Sequence, residues 1–436
     1  MFDDVGGYME RWPTATLGFG RSAAYGLLLW LTRWSSFVPL VLLQALVTTF
    51  VVDRALRIFR GGRSPWALPV VMAAIAVTSA AAFSVSTVMP DAWAAPAVVA
   101  LHLLAWHSGS LTTLERVAMA GIVAMAGAAH MATFGVIAGL SILNAVAWLA
   151  RHRLGVGPTG IVVATSAAWS GLVLLLAVDV VAAGRFALTP GAEAYLLGRL
   201  VEDGMAGKVL AEQCPRSDWQ LCAFRNELPA YSEAFLWDAS SPLRKIGGTD
   251  DPRAEQEIRS IIARSLLTQP IEHIWRASDL TAEQFLDTGA DYILEPVTSQ
   301  HLRWTLSRYA PWLLRGYDGA RQQTESIDLG LWSDNIVVPV ATASSFALPV
   351  LVVLLWRRHR RREAMLAATV FLALIGNAVI CGVISSPNER YQARLVWLAT
   401  LAVILVDWGR SKPPGTARNS ASRPLFGSSP DAGPGR

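Results

Sequence analysis

Apolar residues in this chain are gathered into long runs, at about 34–56, 66–88, 92–107, 115–130, 132–150, 159–184, 336–356, 363–385 and 394–409. A helix needs roughly 20 consecutive apolar residues to cross the hydrocarbon core of a bilayer. In an aqueous fold the apolar residues would instead recur as stripes every three or four positions. Only 16% of the residues are charged, against about 25% in soluble domains, which places the chain in lipid. Tryptophans flank several runs (Trp34, Trp66, Trp93, Trp148, Trp356, Trp408), where interfacial aromatics collect. The expected fold is all-α and polytopic, with about nine membrane spans.

The basic residues set the orientation. Arg54, Arg57, Arg60 and Arg63 follow the first run, Arg116 the third, and Arg151 and Arg153 the fifth. Arg357 to Arg362 separate the seventh from the eighth, and Arg410 and Lys412 follow the ninth. The alternate short loops, at Met89–Asp91 and Ala129–Met131, carry neither Lys nor Arg. Cytoplasmic loops collect Lys and Arg, so the arginine-rich set lies inside. The division that follows is an outer segment 1–33, a bundle of about six helices at 34–184 and an outer domain at 185–335. A bundle of about three helices at 336–409 and a cytoplasmic tail at 410–436 complete it. In a bacterium the membrane is the inner one and the outer side is the periplasm. The tail is rich in Pro, Gly, Ser and Arg, the composition of a disordered segment. The net charge of +4 forms no basic patch, so membrane lipid is expected as a partner and nucleic acid is not.

The outer domain reads as mainly helical, with apolar three-to-four spacing over 193–211 and 253–267 and a Pro/Gly/Asn-punctuated stretch at 224–252. Its tryptophans (Trp219, Trp237, Trp275, Trp304, Trp312) point to packing on the membrane surface. Cys214 and Cys222 are too few for a structural zinc site. In an oxidising compartment they read as a short disulfide, the alternative being two unpaired thiols. Cys381 reads as a core residue.

Four places on the outer rim hold groups able to carry chemistry. Asp3 and Asp4 precede what reads as a Gly6–Gly7 turn, and Arg21 starts an apolar helix. Asp91 sits in the Met89–Asp91 turn and His130 in the next one. Arg390, Tyr391 and Arg394 lead into the ninth run and break the inside bias of the arginines. Each has a plain structural alternative: an acidic tail, a turn aspartate, a satisfied interfacial histidine, a snorkelling arginine pair. Together they supply a carboxylate to take a proton from a hydroxyl and guanidinium forks to hold a phosphate. No phosphate-binding glycine loop, zinc-protease motif or serine-hydrolase elbow occurs.

The pattern resembles the GT-C superfamily of polytopic glycosyltransferases, which includes protein O-mannosyltransferases and lipid A aminoarabinose transferases, and is nearest to a bacterial branch of it. The likeness is carried by Asp-Val-Gly-Gly-Tyr with Gly-Arg-Ser-Ala-Ala-Tyr-Gly, by Met-Pro-Asp, and by Pro-Asn-Glu-Arg-Tyr-Gln-Ala-Arg-Leu-Val-Trp-Leu, over residues 1 to about 409. It implies a catalytic acid in the first outer loop (Asp3 or Asp4), a second in the next (Asp91), and Arg21, His130, Arg390, Tyr391 and Arg394 around the substrate. The implied donor is a polyprenyl-phosphate sugar, giving hexosyl or pentosyl transfer to a lipid, glycan or protein hydroxyl. Some members use a divalent metal, for which Asp3 and Asp4 are the candidates. In that superfamily a membrane helix precedes the first outer loop, which here would bring the spans to ten. Two other classes compete. A polar-lipid transporter or flippase would use His102 and Asp179 within the membrane, and a non-catalytic scaffold would act through its outer domain.

Overall fold

The computed structural model describes residues 2–16, 20–61, 64–151, 160–184, 186, 188, 191–214, 216–248, 251–325 and 327–406. The expected tail 410–436 lies outside them. Every regular element described is helical, and no β-strand occurs among the described residues. Among the described residues, five helices are long and apolar enough to cross a membrane: Val38–Arg60, Met131–Leu149, Ile161–Ala183, Gly330–Arg357 and Arg361–Ile384. The other four runs carry shorter helices.

The 92–107 run shows why its helix is short. Ala94–His107 is buried at every one of its 14 residues, the mark of a helix that is core on all sides. It packs against Val38–Arg60, Thr113–Ala129, Ile161–Ala183 and Arg361–Ile384. Inside this sheath His102 Nδ1 lies 2.9 Å from the Thr369 hydroxyl. That hydroxyl donates to the Met365 carbonyl (2.9 Å), so the imidazole Nδ1–H is the donor. The 66–88 run is split between Ala67–Thr78 and Ala81–Ser86. Thr78 and Ser79 each donate back to the carbonyl four residues earlier (2.7 and 2.6 Å), a local bond that competes with helix continuation. The break frees carbonyls, and distant side chains satisfy them. Trp332 Nε1 donates to Val77 (2.9 Å), and Gln44 Nε2 donates to Val85 and Thr87 (2.8 and 2.9 Å).

The N-terminal segment is folded tightly onto the bundle. Gly6 and Gly7 form no turn; both lie within the helix Asp4–Met9. A Cβ on Gly6 would stand 3.1 Å from the Leu302 Cα, and one on Gly7 would collide with the Arg21 side chain. Helix Ala23–Thr32 starts from Ser22, whose hydroxyl accepts from Ala24 N (3.0 Å) and donates to the Ala128 carbonyl (2.5 Å). Asp179 accepts the Ala23 N–H as well. Asp179 and His102, the residues a transport pathway would use, are therefore both engaged in internal hydrogen bonds.

The 185–335 segment divides by its packing. Residues 191–268 enclose a core of their own around Leu197, Leu200, Leu210, Phe235, Ile258 and Ile261, within which the 193–211 stretch breaks at Gly204 (φ +75°). Cys214 and Cys222 are bonded, with Cα atoms 5.4 Å apart. Glu257 accepts the Gln220 and Leu221 N–H groups, both at 2.8 Å, and fastens the disulfide loop to Pro252–Thr268. Helix Pro270–Leu286 leaves this core and lies along Arg361–Ile384. There Phe285 meets Phe346 and Phe371 with ring centroids 6.0 and 6.3 Å apart. Gln300–Tyr309 packs on Asp4–Met9 and sends Leu302 and Leu306 into the main core.

Close backbone approach makes a sharp test of this packing. A Cβ on Gly26 would lie 2.5 Å from the Tyr8 carbonyl oxygen, whereas Gly121 faces open space. Gly26→Val should cost about 1–3 kcal/mol through overpacking, and Gly121→Ala should gain up to ~1 kcal/mol in helix propensity. Thermal midpoints in detergent would separate the two.

Candidate active site

A cavity of about 840 Å³ lies between the N-terminal segment, the 191–248 region and the start of helix Glu389–Leu405. Asp4, Arg21 and Arg390 line it, and Asp91 and Arg394 continue the row of alternating charges behind them. Arg21 Nη2 donates to Asp4 Oδ1 (2.5 Å), and Arg390 Nη2 donates to Asp4 Oδ2 (2.9 Å). Arg390 Nε faces Asp91 Oδ2 at 3.6 Å, and Arg394 Nη1 donates to Asp91 Oδ1 (2.6 Å). Segments up to 386 residues apart in sequence meet in this chain of contacts.

Local structure aims each group. Asn388 caps helix Glu389–Leu405 by accepting from the Arg390 backbone N–H (3.1 Å). Its own backbone N–H and carbonyl are held by Gln284 (3.0 and 2.9 Å), which fixes the first turn and thus the direction of Arg390. Arg394, one turn further on and 1% exposed, donates Nη2 to Asn377 Oδ1 (2.8 Å). The Tyr391 ring lies beside both guanidiniums, 5.5 and 5.8 Å from their carbons. His130 Nδ1 is 3.1 Å from Arg394 Nη1. Arginine has only donors, so Nδ1 accepts and the ring is neutral. Burial foremost, with Arg394 beside it, pushes the His130 pKa down to about 4.

The carboxyls fall into two kinds. Burial works to raise the pKa of Asp4, but Arg390 and Arg21 outweigh it and hold the carboxyl well below the usual range. Asp91 is likewise held low, by Arg390 and Arg394 against its burial. A depressed folded-state pKa contributes stability above the unfolded value, near 3.9, and loses it only as pH falls further. Both clamps therefore persist through neutral and mildly acidic pH. Asp3 differs. It lines the cavity, is exposed at its mouth, and has its pKa raised by partial desolvation first and by Asp4 second.

The fit to a divalent cation is poor. Both Asp4 oxygens are engaged by guanidiniums, and no cluster of three or more His, Cys, Asp or Glu able to hold a metal occurs among the described residues. Within the network Arg21, Arg390 and Arg394 outnumber Asp4 and Asp91, while the rest of the cavity wall adds Asp3, Glu10 and Glu233 against Arg11 and Arg244.

All eight candidates (Asp3, Asp4, Arg21, Asp91, His130, Arg390, Tyr391 and Arg394) thus gather in or directly behind one cavity. The wall opposite comes from residues with no such signal. Trp237, expected on the membrane surface, lines the cavity with the Arg21 guanidinium 5.3 Å from its ring. Tyr195 packs edge-on to Trp237, and Ser232 shares a hydrogen bond with Ser386 (2.9 Å). Single aromatics and serines in a polar stretch carry no pattern that distinguishes them from surface.

Removing the Asp91 charge should cost about 3–5 kcal/mol, because buried Arg394 loses its carboxylate partner while Arg390 keeps Asp4. Asp91→Asn is therefore expected to lower the thermal midpoint sharply, and Asp91→Asn with Arg394→Leu to recover part of the loss. An unchanged midpoint in the single variant would contradict the charge balance described.

Compared with known protein families, curated proteins and solved structures, the chain matches none.

Proposed function

We propose that this chain is an integral-membrane glycosyltransferase of the GT-C kind. It moves a sugar from a polyprenyl-phosphate donor to an acceptor hydroxyl on the periplasmic face of a bacterial inner membrane. In this reading all nine runs cross or are enclosed within the bilayer, residues 1–33 and the 191–268 core lie outside, and the C-terminus is cytoplasmic. The supporting observation is the pair of guanidiniums, Arg21 and Arg390, in the wall of a cavity that also holds Asp3, a carboxyl outside the arginine clamps with a raised pKa.

The roles divide accordingly. Arg390 lines both the cavity and a smaller recess with Phe2, Ser84, Thr87, Asp91 and Arg394, so it can meet a phosphate arriving from the bundle side. The acceptor oxygen attacks the anomeric carbon as the bond from that carbon to the phosphate oxygen breaks. The electron pair leaves with the polyprenyl phosphate, which Arg390 binds with Arg394 behind it. The acceptor proton passes to Asp3, whose raised pKa makes it a better base than an ordinary aspartate. Asp4 holds Arg21 and Arg390 in position and takes no proton. His130, neutral, supports Arg394.

Transfer from a radiolabelled polyprenyl-phosphate hexose or pentose, with the protein in lipid nanodiscs, tests this. Asp3→Asn should lower kcat by about 10²–10⁴ with an unchanged thermal midpoint, and Arg390→Lys should raise the KM for the donor. Wild-type turnover by Asp3→Asn would refute the role of Asp3. The acid limb of the wild-type rate profile should lie above the ordinary carboxylate pKa of about 3.9. Activity falls as pH drops through it, because only ionised Asp3 accepts a proton.

A further inference from the structure

A second concavity, of about 370 Å³, lies between the 191–268 core and the end of a long apolar helix. Leu196, Ile262, Ala263 and Leu266 line it together with Ile384, the last residue of Arg361–Ile384, and the ion pair of Glu193 with Arg259 stands at its edge. Its surface is almost wholly apolar. Beside it, where Pro252–Thr268 turns into Pro270–Leu286, Leu267, Ile271, Ile274 and Trp275 are each more than two-thirds exposed. An apolar corner of this size on a water-facing surface would be a liability.

Three observations bear on what covers it. The floor of the groove is the end of a helix fit to span the membrane. The exposed corner continues directly into Pro270–Leu286, which runs beside that helix, its Leu280 carbonyl 2.6 Å from where a Cβ on Gly382 would stand. The groove also shares a seam with the large cavity. Leu196 and Ile384 face the groove, while their chain neighbours Tyr195 and Ser385 face the cavity. A molecule with an apolar chain in the groove can thus put its polar head among Tyr195, Ser385 and Ser386. These three line only the large cavity, whereas Arg390 is shared with the recess on the bundle side.

We infer that the groove holds an acyl chain of the acceptor, so that the acceptor is itself a lipid of the outer leaflet. The word acceptor rests on the transferase reading above; occupation of the groove by an acyl chain does not. A separate apolar recess, formed by Thr48, Met72, Ile75, Ala82, Val85 and Trp397, is the place the transferase reading leaves for the donor chain.

Photolabelling of the full chain in nanodiscs tests the inference. One arm uses a diacyl phosphatidylglycerol with a diazirine at the acyl end, and the other a diazirine-tagged polyprenyl phosphate. Adduct sites are mapped by peptide mass spectrometry. The diacyl probe should label 192–196 and 259–266. Ala263→Trp, which fills the groove from an exposed position, should reduce that label at least tenfold while adducts on the spanning helices stay constant. Leu266→Arg should do the same. The polyprenyl probe should label around Trp397 and not the groove. Absence of groove adducts, as a face reserved for a protein would give, overturns the inference. So does labelling that both variants leave unchanged, or capture of the polyprenyl probe in the groove. Asp3→Asn should abolish transfer and leave the groove adducts intact, so loss of one reading is seen apart from loss of the other.

Discussion

The alternation of Arg21, Asp4, Arg390, Asp91 and Arg394 is the interaction on which this end of the molecule depends. It joins the N-terminal helix, the turn at Pro90–Trp93 and the start of the last helix, none of which is near another in sequence. Buried ion pairs are a poor source of stability, since desolvation offsets most of the attraction. A fold needing only cohesion here would do as well with leucines. A row of guanidiniums that reaches a cavity through Arg21 and Arg390 fits the binding of something anionic better than it fits cohesion.

The same network explains why neighbouring carboxyls behave differently. Asp3 and Asp4 are adjacent, yet only Asp4 turns toward Arg21 and Arg390. Asp3 is left at the cavity mouth, where partial burial and the charge of Asp4 both disfavour ionisation. One aspartate becomes a fixed counter-ion and the other remains free to exchange a proton. Helical placement makes the division, because successive helical residues do not share a face.

Much of this was legible in the sequence for a definite reason. Charged residues at the edge of an apolar run are costly, so Asp4, Asp91, Arg390 and Arg394 stood out against their surroundings. Hydropathy located the apolar runs but could not distinguish a helix with a free apolar face from one wrapped in protein on all sides, as Ala94–His107 is. Nor could it show the break at Ser79, which follows from side-chain bonds to the helix's own carbonyls rather than from Pro or Gly. Gly6 and Gly7 misled in the other direction. Their freedom is used for close approach to Leu302 and Arg21, not for a turn. Trp237 and Tyr195 were invisible as site residues because only tertiary packing brings them over Arg21.

The enclosed helix Ala94–His107 has a bearing on how the chain is made. His102 finds Thr369 only 267 positions later, and the Arg361–Ile384 helix that closes the sheath is among the last to leave the ribosome. Until then two imidazoles face either lipid or a half-built neighbour, an unfavourable state with long-range contacts still outstanding. A chain ending before residue 361 would therefore leave His102 without Thr369 and helix Ala94–His107 without one wall of its sheath.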